Sequence, residues 1–241
     1  MLQGIDILYE DNHVLVAVKP PFMPVQADPS GDPDMLSILK EYVRVKYNKP
    51  GEAYLGLVHR LDRPVGGALV FARTSKAAAR LSKSLQTRDM RRAYLAVVQG
   101  RMAAAEGQLV DHLIKNTRTN MVSVVPPDAP GAKKAVLHYW ALAQGERDGQ
   151  PISLVMIQLG TGRGHQIRVQ MAHCGHPLVG DMRYGDRQKP GNPIALWAAG
   201  LSFTHPTRRE ERLRYIAPPP AREPFDRFDI AGLDLGNRLP V

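Results

Sequence analysis

Short runs rich in β-branched residues, each closed by Gly, Pro or a polar turn, follow one another along most of this chain and constrain its fold more than any other feature. Ile5 to Tyr9 and Val14 to Val18 read as two strands around an Asp11-Asn12 turn, and Lys19-Pro20-Pro21 ends the second. Leu69 to Ala72, Tyr94 to Val98, Met121 to Val125, Val136 to Leu142 and Ile152 to Leu159 are further strands. Helices are fewer. Asp34 is the expected cap of one in which Leu36, Leu39, Val43 and Tyr47 recur at helical spacing until Pro50 stops it. Ser75 is the expected cap of another, with Ala78, Leu81 and Leu85 on one face. Consecutive strands with few inserted helices predict an α+β fold on a largely antiparallel sheet, not a doubly wound βαβ architecture.

Composition narrows the class. At 241 residues the chain can bury a substantial core, and 44% hydrophobic with 23% charged residues fits a globular protein, not a disordered or fibrous one. A formal charge of +9 gives a field that attracts polyanions, of which nucleic acid is the commonest. The single cysteine, Cys174, has no intrachain disulfide partner; it stands where a helix ends before Gly175 and reads as a buried structural thiol in a reducing compartment. No basic stretch followed by an apolar run opens the sequence, so neither a signal peptide nor a membrane helix is expected, and the protein should be soluble and cytoplasmic.

The chemistry is concentrated in two dense runs. The first, His59-Arg60-Leu61-Asp62-Arg63-Pro64-Val65-Gly66-Gly67, sets one aspartate between two cations and ahead of a tight turn that leads into an apolar strand. Cationic neighbours favour the ionised carboxylate, as a reactive Asp on a rigid loop would require. A surface Asp in an Arg-rich turn fits the same pattern. The second run is Gly160-Thr161-Gly162-Arg163-Gly164-His165-Gln166-Ile167-Arg168, continuing through His176-Pro177-Leu178-Val179-Gly180-Asp181. Gly162 and Gly164 are candidates for positive φ or close backbone approach there. Lys76, Lys83, Arg88, Arg91 and Arg92 form a basic stretch able to track phosphates, or simply solvated surface cations. No GxGxxG, P-loop or HExxH-like spacing is present, and neither cofactor nor metal is expected.

The first run resembles the HRLD motif of the RluA-type RNA pseudouridine synthases, and the second resembles that family's GRxHQIR segment with its trailing glycine and aspartate. Ile7-Leu8-Tyr9-Glu10-Asp11 through Val18-Lys19-Pro20, and Arg92-Ala93-Tyr94-Leu95-Ala96, resemble two more of its landmarks. The four motifs occur in family order from about Ile5 to Ala217. The resemblance implies a mixed, largely antiparallel central sheet with flanking helices and a central cleft, formed by one catalytic domain over residues 1–217. Pro218 to Val241 is expected as a loosely packed tail. An appended N-terminal RNA-binding module of the S4 type is not expected, so the catalytic domain supplies its own RNA contacts.

The activity implied is isomerisation of uridine to pseudouridine in structured ribosomal or transfer RNA, by a monomer that needs no cofactor and no membrane. Asp62 is then the catalytic carboxylate, Arg168 the guanidinium that pairs with it and keeps it charged, and Tyr94 the ring that holds the extracted uracil. Arg60 fills the vacancy left by the extracted nucleotide or contacts phosphate. His59, His165 and Gln166 complete the motifs as groups that hold the substrate-binding loops, with Arg163 beside them as a substrate contact. The sequence departs from the family where Val65 and Gly66 replace a Thr-Ser pair, where Arg92 replaces a Lys and where Gly164 replaces a Thr; altered loop contacts are expected, not lost chemistry. An inactive RNA-binding protein of the same fold and a hydrolytic N-glycosylase are the competing readings. Retention of Asp62, Arg168 and Tyr94 weighs against the first, and the lack of a dedicated second carboxylate against the second.

Overall fold

Val14-Leu15-Val16-Ala17 and Ala68-Leu69-Val70-Phe71-Ala72 are apolar at every position because both faces of the strands they form are covered. A computed structural model describes residues 2–185 and 194–239. In chain order its elements are β1 (Asp6–Glu10), β2 (Val14–Lys19), α1 (Met35–Lys46), β3 (Gly56–Leu57), β4 (Gly66–Ala72), α2 (Ser75–Gln86), β5 (Arg91–Gln99) and β6 (Glu106–Asn116). There follow β7 (Met121–Val125), β8 (Lys133–Arg147), β9 (Gln150–Leu159), α3 (Gln166–His173), β10 (Leu196–Thr204), β11 (Arg212–Ile216) and, near the C-terminus, a one-turn helix, α4 (Leu235–Arg238). This is the expected α+β class, strand-rich with few helices. Packing divides the chain into two compact units: residues up to Arg92 with Ala198–Ala217, and Ala93–Trp197 with the stretch from Pro218 onward.

The first unit is built on β1-β2-β4-β10, with β3 against β4 and β11 against β10. The Asp11 carboxylate accepts from the amides of His13 (2.7 Å) and Val14 (2.8 Å) and so makes the turn that folds β2 antiparallel onto β1. Val14, Val16, Ala68, Val70 and Ala72 pack with Ala77 and Leu81 of α2 and with Leu201, Phe203 and Leu213. The helix boundaries refine the reading of the sequence. Asp34 does cap α1, accepting from the Ser37 amide at 3.0 Å, but the buried face is Met35, Leu39 and Val43; Leu36 lies on its flank and Tyr47 is exposed. The cap of α2 is Thr74, one residue before Ser75, with its hydroxyl on the Ala77 amide (3.1 Å), and the buried face is Ala77 and Leu81.

Gly67 fixes how β4 meets β10. Its φ is +121°, and a Cβ built there would stand 2.3 Å from the Ala198 carbonyl oxygen and 2.5 Å from the Ala198 nitrogen. Both are backbone atoms and neither has room to yield. Gly67→Ala is therefore expected to cost on the order of 3 kcal/mol, or about 6–12 °C in Tm for a chain of this size, in thermal unfolding. An unchanged Tm would show that the strands separate more easily than this contact implies.

In the second unit the strand order is β5-β9-β8-β6-β7, and the β5–β9, β9–β8, β8–β6 and β6–β7 pairings are antiparallel. Central strands β5 and β9 are buried almost throughout, whereas β6 alternates in exposure. One-sided burial gives β6 a mixed polar sequence, Glu-Gly-Gln-Leu-Val-Asp-His, which is why its periodicity is faint. Leu113, Val122 and Ala135 form a small core with Val169 of α3. Cys174 corrects the expectation of a buried thiol: it is exposed, because it caps the C-terminus of α3, where Gly175 turns away at φ +86°. Beyond Pro218 the chain buries Phe225, Leu235 and Leu239, a closer packing than its Pro- and Arg-rich composition implies; the last two residues lie outside the described residues. Among the described residues no helix is long and apolar enough to cross a membrane.

Candidate active site

Asp62 sits half-buried at the first position of a turn that its own carbonyl closes, accepting from the Val65 amide at 2.9 Å. The turn is held from beneath by a residue that sequence reasoning did not single out. Lys19, the last residue of β2, is wholly buried, and its ammonium donates to the carbonyls of Pro20 (3.0 Å), Met23 (2.7 Å) and Arg63 (2.9 Å). One side chain thus ties the loop after β2 to the Asp62 turn. Burial pushes the Lys19 amine down to about 7, with the Asp62 charge opposing that shift and Arg63 adding to it. A Lys followed by Pro at a strand end reads as an ordinary terminator. Only the fold reveals that its ammonium is enclosed.

This burial has a measurable signature. The folded-state pKa of Lys19, about 7, lies below its ordinary 10.5, so between those values the unfolded chain holds a proton that the folded chain does not. Raising the pH through that window should therefore stabilise wild type relative to Lys19→Met. Urea unfolding of both proteins from pH 7 to 10 checks it, and a pH-independent difference would contradict the placement of the amine.

The other residues of the first motif divide by exposure. Arg60 is exposed. Arg63 is also exposed, and its guanidinium is bound to Asp32, to Asp28 (3.5 Å) and to the Phe22 carbonyl (3.0 Å). His59 is buried; its Nε2 accepts from the Val70 amide at 3.5 Å, and its Nδ1 has no partner among the described residues. Burial, helped by the Arg92 charge, pushes its pKa down to about 3, so the ring is neutral across physiological pH.

The second motif folds into a linked polar cluster around α3. Arg168 is buried, and its Nε and Nη2 each donate to the Asp181 carboxylate at 2.8 Å, a two-pronged fork that takes two of the five guanidinium N–H groups. Asp181 also accepts from the amides of Arg183 (2.9 Å) and Tyr184 (3.3 Å). Burial works against its charge, yet Arg168 and the two amides together hold its carboxyl below the ordinary value. The Arg168 guanidinium carbon stands 5.2 Å from the centre of the Tyr184 ring. The Tyr184 hydroxyl accepts from the Val122 amide (2.9 Å) and meets His165 Nδ1 at 2.7 Å. Asp181 and Tyr184 are further members that sequence reasoning did not assign, although Asp181 closes the quoted motif.

Around this cluster, Gln166 binds the loop before α3: its Oε1 accepts from the Thr161 hydroxyl (2.8 Å) and the Arg163 amide (3.0 Å), and its Nε2 donates to the Val136 carbonyl (3.0 Å). Arg163 is exposed, with Nε on the Lys134 carbonyl at 3.1 Å. The left-handed backbone expected of a glycine falls instead on His165, at φ +50°, and Gly164 has open space where a Cβ would stand. Tyr94 is buried in β5, opposite Ile157 of β9. Of the basic stretch, Lys76, Lys83, Arg88 and Arg91 are exposed and Arg92 is partly buried.

Comparison with known proteins gives a consistent picture. The RNA pseudouridylate synthase family model matches residues 13–173. The chain is 36% identical over 219 residues to the uncharacterized RNA pseudouridine synthase YjbO of Bacillus subtilis, spanning 90% of this chain and 73% of the relative. It is 38% identical over 188 residues to the ribosomal large subunit pseudouridine synthase D of Yersinia pestis, spanning 77% of this chain and 54% of that one. In fold it is similar to human RNA pseudouridylate synthase domain containing 1, with a TM-score of 0.75, 24% identity and coverage of 92% of this chain and 86% of the other.

Proposed function

Because the chain belongs to the RNA pseudouridylate synthase family, of the RluA type, and is an RNA pseudouridine synthase, we propose that it isomerises specific uridines in structured ribosomal or transfer RNA with Asp62 as the reacting carboxylate. The observation that carries this reading is the setting of Asp62: a carboxylate on a turn closed by its own carbonyl and fastened through the Lys19 side chain to the loop after β2. Both features favour an immobile group.

The reaction breaks the N1–C1′ bond of uridine and makes a C5–C1′ bond to the same base; C5 gives up a proton and N1 gains one, so atoms balance with no electron donor or acceptor. The enzyme must then hold a charged carboxylate at the ribose or base, keep the detached uracil from leaving, and expose a nucleotide that is otherwise stacked. In this proposal Asp62 is the carboxylate, Arg168 the guanidinium that favours its charge, and Tyr94 the ring that retains the base. The chain's charge of +9 draws the RNA, and Arg60 takes up the space of the extruded nucleotide. Arg163 is a further RNA contact, while His59, His165 and Gln166 hold the loops. The enzyme is proposed to act as a monomer in the cytoplasm.

Mapping pseudouridines in total RNA from cells with and without the gene tests this. Loss of one or a few defined positions in ribosomal or transfer RNA is expected. Identical maps would overturn the proposal.

A further inference from the structure

Phe22 breaks two rules of a folded chain at once. It is 47% exposed, and its φ is +67°, a left-handed conformation that a bulky side chain with no polar atoms rarely adopts. Exposed Tyr47, by comparison, lies under the Arg73 guanidinium (4.3 Å) and meets it through its hydroxyl. Among the described residues, the Phe22 ring has no such use.

Its position is rigid all the same. The Phe22 carbonyl accepts from Arg63 Nε at 3.0 Å, and the next carbonyl, Met23, is one of the three that hold the Lys19 ammonium, which also binds the Arg63 carbonyl. Phe22 and Asp62 are thus carried on two loops fastened together through Arg63 and Lys19. Arg63 is taken up by Asp28, Asp32 and the Phe22 carbonyl, while Arg60, exposed two residues before Asp62, puts a cation able to meet phosphate on the segment to which the Phe22 loop is tied. Backbone strain held in place around an exposed aromatic, on a loop fastened to the Asp62 turn, is the kind of outlier that points to function.

We propose that Phe22 is a stacking platform for an RNA base that flanks the extruded uridine. An aromatic face accepts any base, so Phe22 contributes affinity and holds the strand open without reading sequence. The inference rests on the enzymatic reading given above and deepens it.

The test uses full-length protein carrying Asp62→Asn, so that RNA stays unconverted, and measures binding to transcribed, unmodified ribosomal RNA and transfer RNA at fixed salt, together with thermal unfolding. Phe22→Gly, which accepts positive φ and removes only an exposed ring, is expected to leave Tm equal or higher while weakening RNA binding on the order of tenfold. Phe22→Trp should bind as tightly as Phe22. Equal binding by Phe22→Gly overturns the stacking role, as does a fall in Tm, which would make Phe22 a packing residue. If the protein with Phe22 intact binds neither RNA, the enzymatic reading itself falls.

Discussion

Arg168→Ala is expected to abolish measurable turnover and to destabilise the protein by about 3–5 kcal/mol, the cost of leaving a buried ion without its partner. The pair with Asp181 is almost wholly enclosed, with 6% and 0% of the two side chains exposed, so water cannot replace the lost cation. The Arg183 and Tyr184 amides would still reach Asp181, which places the loss toward the lower end of that range. Arg168→Lys separates folding from chemistry: it keeps a charge but not the planar fork, and should recover more stability than rate. Denaturant unfolding alongside single-turnover kinetics reads both quantities. Because the Asp181 carboxyl is held below its ordinary 3.8, its contribution is present above that pH and is lost as pH falls through the lowered value. Arg168→Ala should therefore also lose part of the wild-type acid sensitivity. A variant as stable and as fast as wild type would remove Arg168 from both roles.

Asp62→Asn is expected to lower turnover by at least about 10⁴-fold, the scale of removing a group that reacts, while leaving RNA affinity within about threefold. The substitution keeps shape and costs little stability, since the carbonyl that closes the turn belongs to the backbone. It has a second consequence within the loop. The Asp62 charge works against the downward shift of Lys19, so its removal should lower the Lys19 pKa further and move the pH window of stability with it. A merely structural Asp62 would give the same move of the Lys19 window with near-normal turnover.

Much of the fold was legible in the sequence because its central strands are covered on both faces and so read as unbroken apolar runs, as in β2 and β4. Strand β6 was not, because one of its faces meets solvent and its charged residues hide the alternation. Helix faces were off by a residue for a similar reason: Leu36 and Tyr47 share the period of α1, yet Met35 is what the helix buries, and composition alone does not fix that rotation. The division into two units was illegible because each is assembled from two separate stretches of chain.

The candidate site followed the same logic. Asp62, Arg168 and the HQIR segment stand out as dense motifs of charged residues and glycine. Lys19 did not, since a strand-terminal Lys-Pro looks like punctuation until three carbonyls, one of them 44 residues away at Arg63, are seen converging on its ammonium. Tyr184 owes its place to contacts with Val122, His165 and Arg168 that no spacing announces, and Phe22 to a backbone angle that no side chain predicts.

The most direct measurement is the nucleoside content of unmodified ribosomal and transfer RNA after incubation with wild-type protein and with Asp62→Asn, digested and separated by chromatography. Wild type is expected to convert uridine into an isomer of identical mass that resists glycosidic cleavage, with no free uracil, and Asp62→Asn to leave the RNA unchanged. Free uracil from wild type, no product from either RNA, or pseudouridine formed by Asp62→Asn would contradict the account.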